Sequence, residues 1–262
     1  MEIPVKKNHE YEVEIIDNGY DGEGIAKIED FTIFIPGAIK GEKCRILIVK
    51  VNKAFAFGKL IEVIKKSNNR VQADCSTYKR CGGCNLRHIK YEETLNIKRG
   101  MVQNLVNRTL NKNIVVNKVI GMEHPFHYRN KLQYPVGIDK NNNPIMGVFA
   151  NRTHEIIPVT NCLIQNREAE KVAKKVFEFI KQNDISIYNE NTREGAIRHI
   201  VVKIGIRTDE IMCIIVSNQE NFKQEDKLVE VIKNECPKVK TIIKNINNRN
   251  TNVILGDRNI IL

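Results

Sequence analysis

Between residues 8 and 64 the chain reads as a run of short alternating segments: YEVEIIDNG, GIAKIED, FTIFIPG, EKCRILIVKVNK and FAFGKLIEVI. Alternation is plainest at Val13 and Ile15 and at Ile46 and Ile48. A period of two marks a half-buried strand. Gly19, Gly22, Gly24, Gly37 and Gly41 punctuate the turns between runs. Five short strands in a segment of this size predict a small closed barrel of the OB type. The GYDGEG stretch is a turn in this reading and not a dinucleotide loop, since no helical pattern follows it.

A polar linker is expected over 65–72 (KKSNNRVQ), and beyond it lie Cys75, Cys81 and Cys84, spaced C-x5-C-x2-C around a glycine pair. Cys162 stands alone far downstream in VTNCLIQ. Thiolates this close in sequence usually hold a soft metal or an iron–sulfur cluster, and glycines let backbone N–H groups approach sulfur. Zinc and a cluster both accept four thiolates. A zinc ribbon normally brings a second C-x2-C pair, which favours the cluster; His88 keeps a Cys3His zinc site open, the plainer expectation being a His88 on a solvated loop. Cys44, Cys213 and Cys236 are scattered, and Cys213, in IMCIIV, reads as strand core.

The segment after the cysteines, YEETLNIKRGMVQNLVNRTLN, has helical periodicity, with Leu95, Val102, Val106 and Thr109 on one side, Ile97, Met101 and Leu105 adjacent, and Gly100 weakening its middle. Lys98, Arg99, Arg108 and Lys112 would face solvent or phosphate. Strands are expected at FHYRNKLQYPVG, NPIMGVFA, THEIIPVT, AIRHIVVKIGI, EIMCIIVSN, VKTIIKNINN and TNVILG, and helices at NREAEKVAKKVFEFIKQN and QEDKLVEVIKNECP. The order predicts an α+β domain with an antiparallel sheet and helices on one face. The apolar ending GDRNIIL suggests a chain cut before a further domain.

The formal net charge is +11, and residues 97–135 hold seven Lys or Arg against a single acid, Glu123. Such a balance points to a polyanion, most often nucleic acid. No run of 18 apolar residues occurs and the N-terminus lacks a signal-peptide core, so a cytoplasmic, membrane-free protein is expected, with its cysteines reduced. For RNA contact the candidates are Arg129 and Lys131 with Phe126 and Tyr128, and Arg198 with His199: cations for phosphate, rings for unpaired bases. Lys27, Lys40 and Lys43 on the barrel are weaker candidates, because the barrel could be only a spacer.

These residues carry a resemblance. The pattern GYDGEGIAKIEDFTIFIPGAIKGEKC resembles a TRAM domain, an OB-like RNA-binding barrel. The segment CSTYKRCGGCNLRHIKYEETLNIKRGMVQNLV is similar to the cysteine segment of the bacterial 23S rRNA uracil-5-methyltransferases, and FHYRNKLQYPVG, PVTNCLIQ, GAIRHIVVKIG and NINNRNTNVILGD match further segments in the same order. The resemblance implies a TRAM barrel over 1–66 and a central iron–sulfur domain over 67–262. It implies a [4Fe-4S] cluster on Cys75, Cys81, Cys84 and Cys162, S-adenosylmethionine as methyl donor in the full-length enzyme, 23S rRNA as partner and a monomer. The family's catalytic domain, with its glycine-rich cofactor loop, nucleophilic cysteine and carboxylate base, would follow residue 262, and the helix at 93–112 would pack against it. The expectation drawn is an RNA-gripping portion of a 5-methyluridine-forming enzyme, inactive alone. A free-standing RNA-binding protein and a small redox protein are the alternatives.

Overall fold

The computed structural model describes residues 3–110, 113–151, 153–159 and 161–262. Lys112, counted above among the basic residues of the first helix, lies outside them. The chain forms two compact units, one of residues 1–78 and 84–123, the other of 79–83 and 124–262. The sequence boundary was expected at 66/67; instead the following helix belongs with the barrel unit.

In the first unit β1 (Glu10–Glu14), β2 (Asp17–Asn18), β3 (Gly24–Ile28), β4 (Phe31–Ile35), β5 (Lys43–Val51) and β6 (Phe55–Lys65) make one sheet in the order β1-β5-β6-β4-β3-β2. There are six strands where five were expected. The run YEVEIIDNG breaks after Glu14, and Asp17–Asn18 pairs separately with Ile25 and Gly24. The buried Asn18 side chain secures the break, donating to the Ala38 carbonyl at 3.1 Å and accepting from the Lys40 N–H at 3.0 Å. Inward side chains of Val13, Ala26, Ile33, Ile35, Ile46, Ile48 and Ala56 converge on one core, and β1 touches β3 without pairing to it.

The expected linker is fastened to this barrel. Glu42, 1% exposed, accepts from Arg70 Nε at 2.6 Å and Nη2 at 2.7 Å, and from the N–H groups of Ile39 and Ser67. Arg70 also donates to the Gly37 carbonyl at 2.7 Å. Burial opposes ionisation of Glu42, but these donors outweigh it and hold the carboxyl below its usual range.

Helix α1 (Tyr91–Thr109) buries only Thr94 fully, while Val102 and Leu105 are 47% and 57% exposed. Its partner is the extended segment that follows: Arg99 donates to the Val116 carbonyl, Gln103 bonds Ile114 and Val116, and Tyr91 Oη accepts from the Met122 N–H. Arg99 is thus used internally rather than offered to phosphate.

The second unit carries β7 (Lys131–Ile138), β8 (Pro144–Phe149), β9 (Ile156–Pro158), α2 (Arg167–Gln182), β10 (Ile197–Gly205), β11 (Glu210–Ser217), α3 (Glu225–Glu235), β12 (Val239–Ile246) and β13 (Arg258–Ile261), with sheet order β13-β12-β11-β10-β7-β8-β9. The sheet is mixed, not purely antiparallel as expected, because α3 carries the chain across and lays β12 parallel to β11. Helix α2 is capped by Asn166, which accepts from the N–H groups of Glu168 and Ala169, and it buries Val172, Ala173, Val176, Phe179 and Ile180. Those residues, with Leu228 and Ile232 of α3, cover one face of the sheet. The expected strand TNVILG is no strand. Ile254 and Leu255 instead pack on Val201, Ile214 and Val216 at a second, smaller core, and Asn247 ties the segment down through the Val253 and Ile254 carbonyls. The apolar ending forms strand β13, paired to β12. No helix among the described residues is long and apolar enough to cross a membrane.

Candidate functional site

The second unit holds a cavity of about 550 Å³ beside the start of β10, floored by the β7–β8 hairpin and closed by loops at 154–156 and 188–191. Four rings face it, from Phe149, His154, Tyr188 and His199. Phe149 lies tilted against His154 with centroids 5.4 Å apart and meets His199 edge-on at 6.3 Å. Arg198 lies over the Tyr188 ring at 4.3 Å while its Nη1 donates to the carbonyls of Asn247 (2.7 Å) and Arg249 (2.9 Å). At the rim His154 Nδ1 sits 2.7 Å from Glu190 Oε2. An aromatic-lined hollow with a few fixed polar groups suits a planar, partly polar ligand. Phe149, His154 and Tyr188 escaped the sequence reading because loops far apart in the chain bring them together.

Arg198 and His199 were expected on a solvated RNA face. Both are buried. Strand β10 lies inside the sheet between β7 and β11, and its register is irregular between Ile197 and His199. Burial, then the neighbouring Arg198 charge, push His199 down to about 4, so near neutral pH it is an uncharged imidazole and not a phosphate-binding cation. Its Nδ1 and the Arg198 Nε have no hydrogen-bond partner among the described residues.

The remaining RNA candidates separate by local geometry. The expected strand from Phe126 begins only at Lys131; before it, His127 and Arg129 bond the carbonyls of Leu163 and Ile164. That alternation turns Phe126 and Tyr128 outward, 45% and 48% exposed. Arg129 reaches instead to the Gly83 carbonyl at 3.2 Å, whereas Lys131 is exposed.

Cys75 and Cys84 belong to the first unit, where Arg87 is paired to Asp74 at 2.7 Å. Cys81 and Cys162 belong to the second, which also holds the buried Tyr134. Glu170 of α2 braces that region, accepting from Tyr134 Oη at 2.8 Å and from the Cys162 N–H at 2.9 Å. The glycine pair behaves as its chemistry suggests, with the Gly83 N–H donating to Cys81 Sγ at 3.3 Å. Among the described residues, however, no group of three or more His, Cys, Asp or Glu side chains is placed to hold a metal ion.

His88 is no solvated loop residue. It is 6% exposed, its Nδ1 is 2.6 Å from Tyr78 Oη, and burial, then Arg70, lower its pKa to about 4. Cys44 and Cys213 are fully buried, and burial pushes their thiols up to about 11 and 12. They are packing residues; a nucleophilic cysteine needs the opposite shift.

Comparison with known proteins follows the same division. The family model for the TRAM domain matches residues 4–61. An "uncharacterized RNA methyltransferase" of Clostridium acetobutylicum is 46% identical over 263 aligned positions, covering 99% of this chain and 57% of the relative. One of Staphylococcus epidermidis is 44% identical and covers 98% of this chain and 57% of the relative. The crystal structure of Pyrococcus abyssi tRNA (uracil-54, C5)-methyltransferase with S-adenosyl-L-homocysteine superposes with a TM-score of 0.68 over 95% of this chain and 55% of that one, at 21% identity, and so shows the shared fold. The chain thus spans little more than half the length of the proteins it matches. These findings correct the functional expectation. This chain aligns almost end to end with proteins named RNA methyltransferases, so the expected inactivity is not carried further. The chain has a mixed α+β fold of two sheets, opens with a TRAM domain, and is similar nearly throughout to RNA methyltransferases.

Proposed function

We propose that the protein is an S-adenosylmethionine-dependent RNA methyltransferase acting on carbon 5 of uracil. The observation that carries this reading is the 46% identity, over 99% of the chain, to a protein named an RNA methyltransferase. The named activity of the Pyrococcus abyssi structure supports uracil C5 as the position. S-adenosylmethionine would supply the methyl group, and no described residue is assigned to holding it.

The described residues serve RNA recognition. Lys131 provides phosphate affinity, Phe126 and Tyr128 provide stacking surfaces, and the cavity beside β10 receives a planar group. Arg129 acts as a positioning residue that fixes the loop carrying Gly83. Carbon 5 of uracil is reached only when the nucleotide leaves its stack, so a surface that holds the flanking, unpaired RNA suits this chemistry.

Nucleoside mass spectrometry of rRNA and tRNA, from cells with and without the gene, tests the reading. Loss of 5-methyluridine from one RNA class is expected and names the substrate. Unchanged 5-methyluridine in both classes overturns the assignment. For the cysteines, iron–sulfur ligation by Cys75, Cys81, Cys84 and Cys162 is proposed on the chemistry of four thiols and the N–H bond to Cys81. About four iron and four sulfide per chain after anoxic purification is the expected content; stoichiometric zinc without sulfide would replace this assignment by a zinc site.

A further inference from the structure

Arg198 and His199 leave hydrogen-bonding capacity unused. Both line the cavity beside β10 although they are consecutive in a strand, where neighbours ordinarily face opposite sides. The register irregularity between Ile197 and His199 is the local feature that breaks this alternation. Nη1 of Arg198 is committed to the carbonyls of Asn247 and Arg249, which fixes the plane of the guanidinium. Its Nε is buried with no partner among the described residues, and so is Nδ1 of His199. The two residues are only 6% and 8% exposed. A buried polar atom left unpaired is costly, and a ligand that completes it removes the cost.

The edge of Arg198 that remains, Nε with Nη2, is a fork of parallel N–H donors. Such a fork takes two adjacent acceptors: a carboxylate, a phosphate or the O6/N7 edge of guanine. The cavity disfavours both anions, because Asp139, Glu155 and Glu190 line it as well. Asp139 is occupied within its own turn by the N–H groups of Asn141 and Asn143, and Glu155 pairs with Arg80. Glu190 uses Oε2 towards His154 and, among the described residues, keeps Oε1 as an open acceptor. Guanine carries two acceptors on one edge and N–H donors on another, so it matches a guanidinium fork and a carboxylate together. Adenine and cytosine would set an amino group against the fork, and uracil offers it a single acceptor. Phe149 and Tyr188 add ring faces for a planar base, in a volume of about 550 Å³ that is ordinary for a small-molecule site.

We propose that this cavity is a guanine-binding site, in which Arg198 reads the O6/N7 edge, Glu190 accepts from the opposite N–H edge, and the occupant is an unpaired guanosine of the RNA. Naming RNA as the source of the guanine rests on the RNA reading above; the base preference of the cavity does not. The probe is a ten-nucleotide single-stranded RNA with one central guanosine among uridines. It is compared with the same RNA carrying adenosine or 7-deazaguanosine at that position, and with free GMP and AMP. The wild-type protein is expected to bind the guanosine RNA about tenfold more tightly than the adenosine RNA. The 7-deazaguanosine RNA, which lacks only the N7 acceptor, should lose most of that gain with the protein unaltered. Arg198→Lys keeps the charge but not the fork and should abolish the guanosine preference. Glu190→Gln should reduce the preference severalfold and leave adenosine RNA bound as before.

Equal binding of guanosine and adenosine RNA, with GMP bound no better than AMP, overturns the site and leaves the RNA reading standing. An undiminished preference in Arg198→Lys at an unchanged melting temperature, or in the 7-deazaguanosine RNA, overturns the role of the fork. Preference for GMP over AMP without discrimination among the RNAs retains the guanine site and overturns RNA as the source of its occupant. Binding of no RNA and of neither nucleotide overturns both readings.

Discussion

Replacing Arg70 by methionine is expected to destabilise the protein by about 3–5 kcal/mol, the range for breaking a buried ion pair from one side. The substitution leaves Glu42, whose side chain is fully covered, with a charge facing only the N–H groups of Ile39 and Ser67. It also orphans the Gly37 carbonyl that Arg70 satisfies at 2.7 Å. A one-sided deletion is costlier than the pair is stabilising, because desolvation of the remaining carboxylate is no longer offset. Replacing both partners, Glu42→Gln with Arg70→Met, should recover more than half of the loss. Urea unfolding at neutral pH measures both. A single variant within about 0.5 kcal/mol of wild type, the scale of an ordinary surface change, would show that the pair carries no such weight. The contribution has a defined pH sense. The Glu42 carboxyl sits below its ordinary value in the folded state, so its stabilisation is present above the unfolded carboxylate range and drains away only as pH falls through the folded value.

The second large effect is acid sensitivity at milder pH. His199 is held near 4 by burial and Arg198, and His88 near 4 by burial and Arg70, against an ordinary value of 6.5. In both cases the folded state binds fewer protons than the unfolded state between those limits, so stability rises with pH across the window. It is fully present above about 6.5 and falls towards pH 4. For His199 the shift corresponds to about 3 kcal/mol over the whole window, and His88 acts in the same direction. Unfolding midpoints measured at several pH values from 7.5 to 4.5 should decline steadily, and His199→Gln should flatten the decline by about half. A flat profile for the wild-type protein would mean that these imidazoles find solvent or a proton acceptor when charged.

Both predictions concern residues whose importance the sequence only hinted at. Arg70 lies in a polar run that reads as linker, and nothing local indicates that it turns back onto a glutamate 28 positions earlier. His88 follows the cysteines closely enough to suggest a ligand or a loop, yet it is packed against Tyr78. Arg198 and His199 sit in a strand whose alternation predicts one wet face. Whether a strand is wet on either side depends on what the rest of the chain lays over it, and here β10 is internal with both faces covered.

Local sequence was sufficient where local physics decides. Most strands of the barrel, the amphipathic helix α2 and the core position of Cys213 follow from periodicity within a few residues. The tertiary structure alone decided the parallel step from β11 to β12 and the conversion of TNVILG from strand to cover. It also assembled Phe34, Phe55 and Phe57 into one aromatic surface. The reason is the same in each case. Hydrogen-bond partners and burial are shared between segments distant in the chain, so their free energy belongs to the pairing of segments and is not written in either one.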